Sequence, residues 1–261
     1  MASAGRTATP PWLQVLPHQR AIVVVGLVAV TALAWLYMLP GGAMDWAMAA
    51  MPRGHPADWS VAYAALTLLM WAVMMAAMML PSAGPMLLLH ARIVAGKPLS
   101  LRQCAAFALG YLGIWTGASL AATVLQWGLD HGRLLDPMLA STSTGLSGLL
   151  LIGAGMWQFT PLKRRCLARC RGPMDFLTSA WRPGVRGSVL MGLHHGTLCL
   201  ACCWGLMLLL FVAGAMNIAW VIAIAAWVLI EKVVPHVERL VPLAGIGLIA
   251  WGGLLLVRVA F

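Results

Sequence analysis

Acidic side chains are nearly missing from this chain: seven Asp and Glu stand among 261 residues, and charged residues of all kinds make up only 9%. A water-soluble domain carries about 25% charged residues, so no ordinary aqueous surface can be built from this composition. The shortage of carboxylates also argues against a proton relay or cation pump built on them, because only Glu231 falls within reach of an apolar stretch. Neither a hydrolytic constellation nor a phosphate-cradling glycine loop is present. Long polar segments are scarce as well. The longest, Thr160 to Ser188, is too short to bury a core of its own, which leaves no room for a soluble domain.

What is present is apolar residues, at 62% of the chain. A spanning helix needs roughly 20 mostly apolar residues to cross a hydrocarbon layer about 30 Å thick. Seven such stretches occur: Ala21 to Leu39, Val61 to Leu80, Cys104 to Trp127, Leu139 to Phe159, Val189 to Ala213, Ile218 to Ile230 and Pro242 to Val259. The sixth reaches spanning length only if the helix continues through Glu231 and Lys232 towards Val234. The expected fold is all-α, a polytopic transmembrane bundle of about seven spans, with residues 1–20 as a cytoplasmic segment and 21–261 as one membrane-embedded domain. The first stretch is too long for a signal-peptide core and lacks a small-x-small cleavage site, so it reads as a retained helix.

The net charge of +10 would suggest nucleic acid only if it gathered on a water-exposed face. Instead, fourteen of the seventeen Lys and Arg fall on alternate links, seven of them between Lys163 and Arg186. Basic residues mark cytoplasmic loops, so the N-terminus is expected inside and the C-terminus outside, in a bacterial inner membrane. Nucleic acid is not an expected partner. Membrane lipid is, with the Arg-rich link 160–188 lying against anionic headgroups.

The fifth stretch carries the chemistry: Met191-Gly-Leu-His194-His195-Gly-Thr-Leu-Cys199-Leu-Ala-Cys202-Cys203-Trp204-Gly-Leu-Met207. At 100° per residue, His195, Cys199, Cys202 and Cys203 share an arc of about 100°, and His194 projects about 100° away from His195. Ionisable groups at membrane depth are costly and mark function by default. Structural zinc wants four ligands closed tetrahedrally, which one straight helix cannot supply. Copper(I) accepts thiolate and thioether donors, and the second stretch offers Met70, Met74, Met75, Met78 and Met79 within ten residues. A methionine stripe is often plain packing. Here Met74 and Met78 are the expected thioether ligands, copper(I) is the expected ion, and zinc is the lesser candidate.

If the fifth helix runs outward while the second and sixth run inward, His195, Met78 and Glu231 fall in one layer about 7 to 11 Å from the midplane. Glu231 would then ligate, orient His195 as a carboxylate partner, or simply pair with Lys232. Pro81 and Pro85 are expected to break or kink the second helix and free carbonyls beside Ser82. Two other groups invite a metal reading. Met44, Met48, Met51 and His55 would share a helical face but also suit interfacial anchoring. Cys166 and Cys170, at helical spacing in the Arg-rich link, read more simply as ordinary cytosolic thiols.

The run Met70-Trp71-Ala-Val-Met74-Met75-Ala-Ala-Met78-Met79-Leu-Pro81-Ser82, followed by Gly192-Leu-His194-His195-Gly196, Cys199, Cys202-Cys203-Trp204, Met207, then Gly214-Ala-Met216-Asn217 and Glu231-Lys232, resembles a bacterial family of predicted metal-binding integral membrane proteins. The resemblance spans roughly Val61 to Val234. It implies metal binding in the membrane and, for some members, a link to copper delivery to tyrosinase-like oxidases, so a copper-dependent oxidase or an accessory metal-delivery protein is the implied partner. It does not identify ligands. The expected function is a copper(I) chaperone or copper-handling permease, not an enzyme. The alternatives are a membrane thiol-disulfide oxidoreductase using Cys199-x-x-Cys202 and a metal-free assembly subunit.

Overall fold

The computed structural model describes residues 11–39, 59–234 and 237–260. The outer Met44 to His55 group lies outside the described residues. Among them the chain is all helix: α1 (Pro11–Met38), α2 (Val61–Val94), α3 (Ser100–His131), α4 (Thr144–Phe159), α5 (Pro161–Arg171), α6 (Pro173–Ala180), α7 (Gly184–Leu208), α8 (Leu210–Ala213), α9 (Ile218–Val233) and α10 (Leu240–Ala260). Each apolar stretch forms a helix. Five segments are long and apolar enough to cross a membrane: Ala21–Met38, Val61–Val94, Ser100–His131, Gly184–Ala213 and Val237–Val259. The fourth and sixth stretches give α4 and α9, each of 16 residues, or about 24 Å at 1.5 Å per residue. α9 does continue through Glu231 and Lys232 and stops at Val233.

Helix starts follow local chemistry. Ser60, Ser143, Thr160 and Asn217 each cap the helix that follows, their side chains accepting from Tyr63, Leu146, Lys163 and Trp220 N–H, as short polar side chains do at helix entries. Pro161 and Pro173 occupy first-turn positions, where the missing N–H costs nothing.

Of the expected break or kink, the break is corrected: α2 runs as one helix past Pro81 and Pro85 to Val94. An interior proline removes one backbone hydrogen bond, and in a bundle neighbouring helices and hydroxyl side chains can satisfy the groups it disturbs. The bonds lost are those from positions 81 and 85 to the Ala77 and Pro81 carbonyls; on the same stretch the Met79 carbonyl accepts from Ser82 Oγ at 2.8 Å and from Tyr111 OH at 3.1 Å, which ties α2 to α3.

α2 and α3 lie side by side, α7 packs chiefly on α3, and α10 packs chiefly on α4. In lipid the apolar effect does not drive helices together, so close backbone approach and polar contacts must. Gly110 of α3 and Gly192 of α7 make that approach possible: a Cβ on Gly192 would land on the Phe107 carbonyl oxygen, and one on Gly110 on the Val189 carbonyl oxygen. The Arg-rich link does more than rest on the surface. Its helices α5 and α6 bury Lys163, Cys166, Leu167, Phe176 and Leu177, with α5 packed on α7.

Candidate metal centre

α7 turns the expected face inward. His195, Cys199, Cys202 and Cys203 are buried, while His194 is exposed. The Cys202 and Cys203 thiols both donate to the Cys199 carbonyl at 3.0 Å, which folds two sulfurs back towards the third. His195 stacks on Tyr111 with ring centroids 5.7 Å apart and meets the Phe176 ring at 5.4 Å; its Nδ1 has no hydrogen-bond partner.

Cys199 is the hub. Its sulfur lies 3.1 Å from Tyr111 OH and 2.8 Å from Lys232 Nζ. Lys232 also donates to Ser82 Oγ at 2.9 Å, and Ser82 and Tyr111 both donate to the Met79 carbonyl. Four helices, α2, α3, α7 and α9, therefore meet at one sulfur. An ammonium this deep requires an anionic or strongly polar partner, and the Cys199 thiol is its sulfur partner. Met74, Met75, Met78 and Met79 are all buried in the same core cluster, with the Met79 turn of α2 nearest the hub.

The simpler reading of the link cysteines is corrected by α5. Cys170 lies beside Cys199 and Cys202, and Cys166 lies within electrostatic range of Cys202. Outside the spans, the neighbouring Cys199 and Cys202 thiols, reinforced by burial, hold the Cys170 thiol well above its ordinary pKa. Burial, with the nearby Cys202 sulfur, also pushes Cys166 up. A fourth sulfur thus reaches the centre from a segment whose sequence is dominated by arginine.

Glu231 goes elsewhere. Both its carboxylate oxygens accept from Lys163 Nζ, at 2.9 and 2.7 Å, and Trp227 Nε1 donates to Oε1 at 2.8 Å. The pair is 0% and 1% exposed. Its partner is therefore neither Lys232 nor His195, because Lys163 enters from α5 and Lys232, about 100° further round α9, reaches α7 instead. Both lysines remain in the core, and each has its own partner.

Three participants escaped sequence reasoning. Tyr111 carried no signal beyond being one of three tyrosines. Lys163 looked like any other cation of its link. Lys232 was visible inside the Glu231-Lys232 motif, but the adjacent acid was the more obvious partner. Among the described residues, no three His, Cys, Asp or Glu side chains are already disposed to hold a metal ion together. What the centre offers is a small set of soft sulfur donors, a buried imidazole and a counter-charge, a donor chemistry that suits copper(I) better than a closed zinc tetrahedron.

A family model described as PpoB2, copper chaperone, matches residues 68–255. No curated protein and no solved structure matches the chain.

Proposed function

The chain belongs to the PpoB2 copper chaperone family, and from that premise we propose that it is an integral membrane protein that receives copper(I) at the Cys199 hub and hands it to a recipient cuproprotein. The observation that carries this reading is the buried Cys199 sulfur held by Lys232 and Tyr111, with the buried Cys202 and Cys203 thiols on the next turn of the same helix and Cys170 beside it. Cys199 and Cys202 are the primary ligands, with Cys203, His195, Met74 and Met78 available as the ion settles or leaves. Two thiolates and one copper(I) carry a net single negative charge, and the Lys232 ammonium neutralises it without water. Glu231 serves the architecture, fixing α5 so that Cys170 reaches the centre.

The same reading places the chain as a multi-pass protein of the cytoplasmic membrane, with seven spans, the basic links inside and α5 and α6 on the cytoplasmic face. The recipient is a copper-dependent oxidase or a delivery protein serving one. A dithiol oxidoreductase is less well supported. Its thiols must meet a partner's disulfide, whereas Cys199 and Cys202 are 1% and 0% exposed.

Copper(I) titration of the purified protein against a chromophoric chelator tests the proposal. The parent should bind close to one ion per chain, and Cys199→Ser with Cys202→Ser should lower affinity at least hundredfold. A parent that does not compete with the chelator, or a double variant that binds like it, would refute the reading.

A further inference from the structure

α2 carries a pattern that extends beyond the hub in both directions. Met70, Met74, Met78, Ser82, Met86 and His90 follow one another at intervals of four, and all six are buried. Residues four apart are neighbours on a helix surface, so these side chains form one continuous ridge that winds around the helix. From Met70 to His90 it covers about 30 Å at 1.5 Å per residue. The ridge passes the copper centre at Ser82, which shares Lys232 with Cys199.

Packing alone would be satisfied by leucine, so a second observation is needed, and the His90 end supplies it. His90 is fully buried, and its Nδ1 has no hydrogen-bond partner, while Nε2 lies 3.3 Å from Ser188 Oγ. The neighbouring His195 also has an unpartnered Nδ1, and both rings lie against Phe107, at 4.9 and 6.1 Å. Unpartnered buried ring nitrogens are costly unless something else occupies them part of the time. Beside them, a cavity of about 320 Å³ is lined by Trp181, Arg182, Met191 and His194, among others. Trp181 in turn faces His90 with ring centroids 6.1 Å apart. His194, pointing away from the hub, thus stands in this cavity next to Met191.

We infer that this ridge is a track along which copper(I) crosses the membrane, entering past His194 and Met191, passing His90 and Met86 to the thiol hub, and leaving along Met78, Met74 and Met70. Successive ridge positions lie about 6 Å apart along the axis, and at Ser82, which offers no soft donor, the Cys199 sulfur that shares Lys232 with it takes the ion. The ion remains copper(I) throughout, so no oxidant or reductant takes part. Conduction needs sites strong enough to enter and weak enough to leave; neutral thioethers meet that need where a closed thiolate cage would not. The inference rests on the copper(I) reading above and adds to it that the ion is carried across rather than only held.

The test uses the full chain in sealed vesicles containing a membrane-impermeant copper(I) indicator, with buffered copper(I) supplied outside under anaerobic conditions. Parent vesicles should fill at least tenfold faster than protein-free ones. Met70→Leu and His90→Leu, at opposite ends of the ridge, should each slow filling by a larger factor than they weaken copper(I) affinity. If either variant does not fold, Met86→Leu replaces it. Parent protein that binds one copper(I) per chain but fills vesicles no faster than lipid alone overturns the track and leaves the chaperone reading intact. Protein that does not bind copper(I) overturns both, and ridge variants that fill at the parent rate overturn the track.

Discussion

Lys163→Met separates the architectural role of Glu231 from a metal role. The substitution keeps the long apolar stem and removes the ammonium that both carboxylate oxygens contact at 2.9 and 2.7 Å. At the shorter distance the Coulomb attraction is about 6 kcal/mol at an effective dielectric of about 20. Desolvation offsets much of this in the intact pair, but removing one partner strands the other, which costs about 3–5 kcal/mol at a buried site. For a chain of this size, that corresponds to a fall of about 6–20 °C in melting temperature, at about 2–4 °C per kcal/mol. Adding Glu231→Gln removes the stranded charge and keeps an acceptor for Trp227, so the double variant should regain at least half the loss. Thermal unfolding in detergent, followed by tryptophan fluorescence, reads the stability. Copper(I) competition on the double variant reads the site and should give an affinity close to the parent's. A single variant that melts like the parent would refute the energetics. A stable double variant that no longer binds copper(I) would return Glu231 to the metal centre.

Further tests bear on the hub and on the helix contacts. Lys232→Met removes the cation 2.8 Å from Cys199 Sγ and should lower copper(I) affinity ten- to hundredfold, since even a quarter of a Coulomb attraction of about 6 kcal/mol gives about a tenfold change; chelator competition checks it. Tyr111→Phe deletes the hydroxyl that lies against Cys199 and donates to the Met79 carbonyl, a loss of about 1 kcal/mol, and should weaken binding about fivefold in the same assay. Gly192→Ala drives a methyl group into the Phe107 carbonyl oxygen and should destabilise by about 1–3 kcal/mol. Gly117→Ala, with nothing within 4 Å of its new Cβ, should be neutral or stabilising by up to about 1 kcal/mol, and melting temperatures compare the two.

The helical class, a helix in each of the seven apolar stretches and the inward face of α7 were legible in the sequence because they depend on local quantities, the length of an apolar run and a 100° step per residue; the helices α5 and α6 of the Arg-rich link were not. The soft-metal character of the Cys and Met pattern was legible for the same reason, since donor type belongs to the side chain. The continuity of α2 through Pro81 and Pro85 was not, because whether a helix survives interior prolines depends on what packs around it, here including Tyr111 of α3 against the same stretch. Nor were the partners of the charged groups. Glu231 and Lys232 are adjacent in the chain, yet successive residues on a helix point about 100° apart, and α9 sends one to α5 and the other to α7. Cys170 reached the centre by the same route, through the folding back of an Arg-rich link whose composition favours a surface. The sequence by itself determined what kind of donors the protein holds. Which of them meet was decided by the tertiary structure, because side chains distant in sequence come together only when helices pack.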